Sequence, residues 1–301
     1  MTAVVAVLAG AVLLGAAAAI ADRAVTARGG PRGATTEVLR SGVRLLVKGR
    51  RTTVAGDRLL WRTGVAAVPV LAIAAAAVVP VAGRSLLSTS ADLVWFNAME
   101  ALMWAAVWLV GWGPNSIHPL VGGYRFLAQG LAYELPLMFS LITAGLAAGS
   151  LRATDVVAAQ QGLWFVVTMP VAFVVFVASA AAFAFWGPFA SPASSDIAGG
   201  VLAELSGPDR LLVQVGRYTL LGVSAAMAAA LFLGGGHGPW LPDVVWTAVK
   251  SLAVLGALVW LGRRLPVVRP DRFVDVAWMV LVPLTLVQAL VVALLVLAGA
   301  Y

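Results

Sequence analysis

The segment that decides the fold is AQGLAYELPLMFSLITAGLAAG, which runs from Ala128 to Gly149. It is long and apolar enough to form a membrane-spanning helix, which needs about 20 predominantly apolar residues. It nevertheless contains one carboxylate, Glu134, and Pro136 follows two residues later. A charge at the centre of a span costs about 2.5–3.5 kcal/mol, so this acid is a candidate functional residue.

Similar apolar runs recur along the 301 residues, of which 61% are hydrophobic and only 11% are charged. Because backbone polar groups in lipid must be satisfied internally, we predict an all-α polytopic membrane protein. It forms one membrane domain, 1–301, with about eight transmembrane helices, and the first span is a retained anchor. The predicted spans are residues 3–21, 65–83, 93–111, 130–149, 163–186, 212–233, 244–262 and 277–298.

The basic residues are distributed unevenly between the two sides of these spans. If the spans alternate, 16 of the 20 Lys and Arg residues lie in loops on one side, and only Arg84 and Arg152 lie on the other. The positive-inside rule then places the basic loops in the cytoplasm and both termini outside a cell (inner) membrane. The net charge of +7 therefore indicates topology, and we expect no nucleic-acid partner.

The first basic loop contains TTEVLRSGVRLLVKGRR, from Thr35 to Arg51. If this segment is helical, its apolar and basic residues fall on two adjacent stripes. The apolar stripe contains Leu39, Val43 and Leu46, and the basic stripe contains Arg40, Arg44, Lys48 and Arg51. We predict an amphipathic helix at the membrane surface after the first span. The alternative is a solvated basic loop without a fixed structure.

The chain has no cysteine, which excludes disulfides, thiolate catalysis and iron–sulfur ligation by its own residues. Its two histidines, His118 and His237, lie far apart in the sequence, so we expect no metal site. We find no nucleophile–base arrangement typical of an active site. Any redox cofactor must therefore lie on partner subunits, and any activity belongs to an assembly.

Four charged residues fall within the predicted spans: Glu100, Glu134, Arg217 and Lys250. Arg217 and Lys250 lie near span ends, where long side chains can also snorkel to the surface. Beside Glu134, Pro136 removes the amide that would bond a carbonyl one turn earlier, which favours bound water near the acid. Two interpretations of Glu134 remain open, a proton-transferring carboxylate and a neutral acid that joins two helices by hydrogen bonds.

A longer segment, Gly111–Gln160, contains an ordered series of short motifs. They are Gly111-Trp112, Gly122 with Arg125, Ala128-Gln129, Tyr133-Glu134, and Thr154-Asp155-Val156 with Gln160. In the C-terminal third, Lys250, Arg269, Asp271, Trp278 and Pro283 continue the series. This series resembles the family of the first membrane subunit, the H-type subunit, of proton-pumping NADH–quinone oxidoreductase (respiratory complex I).

The resemblance implies a subunit at the junction between a peripheral arm and a membrane arm. FMN and iron–sulfur clusters would lie on partner subunits, quinone would be the substrate of the complex, and this chain would couple its reduction to proton translocation. The resemblance implies that Glu134 is a coupling carboxylate and that Lys250 continues the polar path. Together with the charged residues Glu100 and Arg217 inside the spans and Asp155 of the Thr-Asp-Val motif, they are our candidate proton-coupling residues. The implied contacts to the quinone chamber or the peripheral arm are Arg23, Arg125, Pro188, Phe189, Asp196, Glu204, Arg269 and Asp271.

The sequence also departs from the family pattern. The loop PFASPASSDIAG keeps Pro188 and Phe189 but has lost most of the family's acids, and only Asp196 and Glu204 remain nearby. The segment RGGPRG, residues 28–33, is an eroded form of the family's Tyr-Gly-Pro-Asn-Arg pattern.

Two further departures concern buried charge. Arg217 occupies the place of a family glutamate, and Glu100 stands where the family is usually apolar. We hypothesise that these two residues compensate each other as a buried ion pair.

Two alternative functions remain open from the sequence. The lost acids favour the homologous membrane subunit of a membrane-bound nickel–iron hydrogenase or formate hydrogenlyase, which needs no quinone site. A non-redox transporter or scaffold is the second alternative. The sequence does not identify the quinone, the electron donor or the coupling ion.

Overall fold

The computed structural model describes residues 2–26 and 33–299, with side chains from residue 7 onward. The described chain is helical and contains no strand, only one isolated bridge between Val81 and Arg84. The helices are α1 Thr2–Thr26, α2 Ala34–Val47, α3 Arg58–Ala76, α4 Asp92–Trp112, α5 Ile117–Ala148, α6 Ala153–Ala158, α7 Phe165–Thr168, α8 Pro170–Phe183, α9 Gly207–Phe232, α10 Asp243–Arg264, α11 Pro270–Val276 and α12 Val282–Leu297. A five-residue π-helical segment, Ala277–Leu281, joins α11 to α12.

Seven helices of the described chain are long and apolar enough to cross a membrane, counting α11 to α12 as one. The predicted all-α polytopic class is therefore confirmed. The predicted span 163–186 is wrong as a single helix, because α7 ends at Thr168 and α8 covers only 14 residues. The break occurs at Met169, immediately before Pro170, whose ring disfavours a helical residue before it.

Two other boundaries differ substantially from the prediction. Helix α3 begins at Arg58 instead of residue 65, because the Asp57 carboxylate accepts hydrogen bonds from the Leu59 and Leu60 amides and caps the helix. Helix α5 begins at Ile117 instead of residue 130, so Arg125 lies within it. The polar stretch before Glu134 is thus helical and continuous with the membrane span.

The loops meet at two ends of the bundle. At one end, the Val268 amide donates to the Pro188 carbonyl (2.7 Å) and the Ser206 hydroxyl to the Gly49 carbonyl (2.7 Å). We call this the basic end, because it carries α2 and most of the basic loop residues. At the opposite end, the Leu93 amide donates to the Leu151 carbonyl (3.1 Å). The eight helical segments α1, α3, α4, α5, α8, α9, α10 and α11–α12 therefore alternate in direction, as was assumed when the basic residues on the two sides were counted.

Helix α9 lies at the centre and packs against α1, α3 and α10. Glycines allow the closest approaches: a Cβ on Gly216 would lie 2.6 Å from Val68, and one on Gly222 would lie 2.7 Å from Leu14. Helix α2 confirms the predicted helix after the first span, and its apolar stripe, including Leu39 and Leu46, is exposed.

Candidate functional site

A polar cluster joins α4 to α5 in the interior of the bundle. Asn97 and Glu100 lie one turn apart on α4, and the Asn97 side-chain amide donates to Glu134 Oε1 at 2.7 Å. Glu100 is fully buried and its carboxyl group faces that of Glu134. Because α5 begins at Ile117 and not at the predicted residue 130, Glu134 lies near the middle of the helix.

Two aromatic residues border this cluster. The Trp104 indole N–H donates to the Tyr133 hydroxyl at 3.0 Å, and the two rings pack edge to face. Gly130 makes room for this contact, because a Cβ there would come within 2.5 Å of the Trp104 ring. Sequence reasoning missed Asn97 and Trp104, although both lie on the same helix face as Glu100, three residues before it and four after it.

Several oxygens of the cluster lack a hydrogen-bond partner among the described residues. They are both carboxyl oxygens of Glu100, Glu134 Oε2 and Asn97 Oδ1. A buried polar atom without a partner costs about 1–3 kcal/mol, and more when it is charged. Groups of this kind are typical of sites that hold water or protons.

The predicted ion pair between Glu100 and Arg217 is wrong. The Arg217 guanidinium donates to the carbonyls of Ala184 (3.3 Å) and Phe185 (2.6 Å) and stacks on the Phe185 ring at 4.0 Å. These carbonyls follow the C-terminal end of α8, where the helix dipole favours a cation. The positive charge of Arg217 is therefore stabilised by a helix end and not by Glu100.

A second polar cluster near the basic end joins α1, α9 and α10. Asp22 is buried; its carboxylate accepts hydrogen bonds from the Tyr218 hydroxyl (2.7 Å) and from Arg263 Nε (2.6 Å). Trp186 packs on both the Tyr218 ring and the Arg263 guanidinium. The sequence analysis did not single out this pair, because a separation of 241 residues hides the contact between Asp22 and Arg263.

Lys250 lies at the opposite end of the bundle, beyond the C-terminus of α9. Its buried ammonium donates to the carbonyls of Leu233 (2.6 Å) and His237 (2.7 Å) and lies 4.2 Å from the centre of the Trp164 ring. Asp155 also lies towards this end, where it accepts a hydrogen bond from the Ser150 hydroxyl at 2.7 Å. The structure does not bring these two residues together with Glu134.

At the basic end, a groove of about 840 Å³ lies between α5, the segment 191–196 and the segment 267–271. The Arg125 guanidinium pairs with Asp196 at 2.7 Å, and its hydrogen bond holds the pKa of that carboxyl below its usual range. Arg269 and Asp271 pair at 3.2 Å on the exposed rim. The groove thus brings together four of the residues predicted to contact the quinone chamber or the peripheral arm.

The other predicted contact residues lie elsewhere at the basic end. Pro188 accepts the hydrogen bond from Val268, and the Phe189 ring lies 4.6 Å from that of Phe273. Glu204 binds Arg51 at 3.3 Å and the Ser116 hydroxyl at 3.2 Å, and Arg23 pairs with Glu37 at 3.4 Å. Of the eroded segment 28–33, residues 28–32 lie outside the described residues.

A second, smaller pocket of about 210 Å³ lies between α1, α2 and α9. Small and apolar residues form most of its wall, and Gln214, Tyr218 and Arg23 supply polar groups. Gly15 brings α1 close to α9, because a Cβ there would lie 2.6 Å from the Thr219 hydroxyl. Its lining, mostly apolar with a few polar groups, is typical of ligand sites, although its volume is below the usual range of about 300–1,000 Å³.

Comparison with known proteins agrees with the resemblance noted from the motifs. The family model described as NADH dehydrogenase matches residues 1–293. The chain is 38% identical to H subunit 1 of the NADH-quinone oxidoreductase of Geobacter metallireducens over 283 residues, 90% of this chain and 86% of the relative. It is 37% identical to H subunit 2 of the same enzyme of Geobacter sulfurreducens, over the same shares of the two chains. It is 36% identical to H subunit 2 of the enzyme of Rhodopseudomonas palustris, over 85% of this chain and 81% of the relative.

These relatives carry the name of the quinone enzyme, which favours that prediction over the hydrogenase alternative. The match covers nearly the whole chain, so it includes the helices that hold the buried charges as well as the loops at the basic end. The chain therefore belongs to the NADH dehydrogenase family, as an H-type membrane subunit.

Proposed function

We propose that the chain is the membrane subunit of a complex I-type NADH–quinone oxidoreductase and forms the membrane side of its quinone chamber. The observation that carries this proposal is the pocket between α1, α2 and α9. Its apolar wall, which includes Ala16 and Ala19, suits an isoprenoid tail, and Gln214 and Tyr218 supply hydrogen-bonding groups. Electrons would reach the quinone from FMN and iron–sulfur clusters on partner subunits, since the chain has no thiolate ligands.

The groove at the basic end is our proposed contact for the peripheral arm. Its paired charges, Arg125 with Asp196 and Arg269 with Asp271, suit a polar partner surface. With this assignment the basic end faces the cytoplasm and both termini lie on the outer side of the cell membrane, in agreement with the positive-inside rule.

The buried cluster of Glu134, Glu100 and Asn97 is our proposed site of proton coupling. An intramembrane carboxylate with unsatisfied oxygens is a functional position by default, because lipid burial makes it costly. Arg217 lies towards the basic end, and Lys250 and Asp155 lie towards the opposite end, so they extend the polar groups in both directions. The hydrogen bonds of Lys250 to two carbonyls favour a fixed charge over a proton carrier at that position.

Filling the pocket tests the quinone assignment. We expect Ala19→Phe to raise the KM for quinone about tenfold or more in the purified complex, because the ring would occupy the pocket and cost roughly 1.4 kcal/mol of binding. NADH oxidation by an artificial acceptor at the flavin should not change. Leu13→Phe is the control, because Leu13 lies on the exposed face of α1 and does not line the pocket. An unchanged KM in Ala19→Phe would refute the proposed quinone site.

Substitution of Glu134 tests the coupling assignment. We expect Glu134→Gln to abolish proton uptake into proteoliposomes during NADH oxidation, because glutamine keeps the hydrogen bond to Asn97 but cannot carry a proton. Asp243→Asn, which neutralises an exposed carboxylate at the start of α10, should leave proton uptake unchanged. Full pumping in Glu134→Gln would remove this residue from the coupling path.

A further inference from the structure

Glu100 is a buried acid for which the coupling proposal gives no separate role. Its side chain is 0% exposed, and neither carboxyl oxygen has a hydrogen-bond partner among the described residues. The side chains that face it are those of Glu134, Tyr133 and Trp104. The Trp104 N–H is already donated to the Tyr133 hydroxyl. The Tyr133 O–H faces Glu100 but makes no hydrogen bond to either of its oxygens.

No cation in the described chain lies close enough to neutralise Glu100. Helix α3 carries its arginines only in the first two turns, and α8 and α12 carry no charged residue. Arg217 is bound to the carbonyls after α8, and Arg125 is bound to Asp196 at the basic end. The titratable groups that face Glu100 are therefore Glu134, on the neighbouring helix, and Tyr133.

The two carboxyl groups differ in their hydrogen-bond donors. Glu134 Oε1 accepts a hydrogen bond from the Asn97 amide at 2.7 Å, and such a bond favours the ionised form. The Tyr133 hydroxyl also faces Glu100, but neither Glu100 oxygen makes a hydrogen bond among the described residues, in contrast to Glu134 Oε1. Two adjacent carboxylates cannot both stay ionised in an apolar interior. A proton on Glu100 supplies the missing donor, because it can be directed at the unpartnered Glu134 Oε2.

We propose that Glu100 and Glu134 bind one proton between them, held on Glu100 and donated in a hydrogen bond to Glu134 Oε2. The pair then carries one proton and one negative charge, and Asn97 sets the order of the two acids. Transfer of the proton to Glu134 breaks one O–H bond, forms another and moves the charge to Glu100, with no other reactant. The use of the pair in pumping rests on the coupling role proposed above, whereas the position of the proton does not.

The position of the proton is measurable by infrared difference spectroscopy of the resting complex in lipid, through the carbonyl stretch of a protonated carboxylic acid. We expect Glu100→Gln to abolish one buried acid band and to leave no band at the same frequency. Glu134→Gln should keep that band and shift its frequency, since the acceptor changes. Glu204→Gln should leave this spectral region unchanged. Three results would each overturn the proposal. The band could be lost in Glu134→Gln alone, separate bands could be lost in the two variants, or the native complex could show no buried acid band.

A second variant keeps the test decisive where Glu100→Gln does not assemble. Asn97→Ala removes the donor that favours ionised Glu134, so we expect a second buried acid band to appear. An unchanged spectrum in Asn97→Ala would refute the role of Asn97 in ordering the pair. Because the complex is not turning over, a correct spectrum with no pumping defect in Glu134→Gln would support the shared proton and refute only the coupling role.

Discussion

Replacement of Lys250 by methionine tests whether this residue fixes the structure at the opposite end of the bundle. Methionine keeps the length and the apolar stem of lysine but removes the ammonium. The loop 233–242 then loses two charge-assisted hydrogen bonds, to Leu233 (2.6 Å) and His237 (2.7 Å), and a cation–π contact with Trp164 at 4.2 Å. Single bonds of this kind contribute about 1.5–3 kcal/mol, and a cation–π contact about 0.5–2 kcal/mol.

These contributions are not additive, so we expect local opening to become easier by about 3 kcal/mol. Since each 1.4 kcal/mol is a factor of about ten, the opening equilibrium should rise about a hundredfold. Amide hydrogen exchange reports this directly at Gly234 and Gly235, whose N–H groups bond to Gln160 and to the Ala229 carbonyl.

The control is Lys48→Met, the same substitution at an exposed lysine, which should leave exchange at both glycines unchanged. Equal exchange in Lys250→Met and the native chain would refute the argument from hydrogen bonds. Loss of proton pumping without a change in exchange would instead identify Lys250 as a proton carrier.

Three further predictions concern other contacts. Asp22→Asn should lower the stability of the complex by about 2 kcal/mol, because Arg263 loses its charged partner. Thermal unfolding should show a lower Tm, and an unchanged Tm would contradict a stabilising contact between Asp22 and Arg263. The folded pKa of Asp196 is depressed by Arg125, so this pair should stabilise the fold above the ordinary aspartate pKa of about 3.9 and lose its effect as the pH falls through the lower folded value. The difference in Tm between the native chain and Asp196→Asn should then vanish only in strong acid, and a difference that vanishes near neutral pH would contradict the pairing. Gly130→Ala should destabilise the complex by about 1–3 kcal/mol because its Cβ would clash with an indole ring, and equal thermal stability would refute the tight contact.

Properties that depend on local composition could be predicted from the sequence. The apolar runs indicated the helical class and the approximate places of most spans, since each depends only on residues near one another in the chain. The two stripes after the first span indicated α2 for the same reason. The ranges of α3 and α5 were less accurate, because the first turns of both helices, after the cap at Asp57 and from Ile117, contain polar residues and glycines and were not recognised by hydrophobicity.

Long-range pairing could not be predicted in this way. The predicted pair of Glu100 and Arg217 is the clearest example. Their opposite charges made an ion pair plausible, but the packing of the helices directs Arg217 to the carbonyls after α8. Asn97 is an ordinary polar residue in the sequence, and its importance comes only from the position of Glu134 on the next helix. The break before Pro170 had a local signal, but the uniform hydrophobicity on both sides concealed it.

The length of α5 has a mechanical consequence. Its 32 residues span about 48 Å, well beyond the roughly 30 Å of the hydrocarbon core, and Arg125 lies nine residues before Glu134 on the same helix. The turns from the groove to Tyr133 form a rigid rod, whereas Pro136 removes a backbone hydrogen bond in the turn that holds Glu134. If a partner tilts the basic end of this rod, the helix bends first at the turn that carries the acid. Such bending would change the distance between Glu134 and its neighbours on α4, while the far half of α5 stays in place.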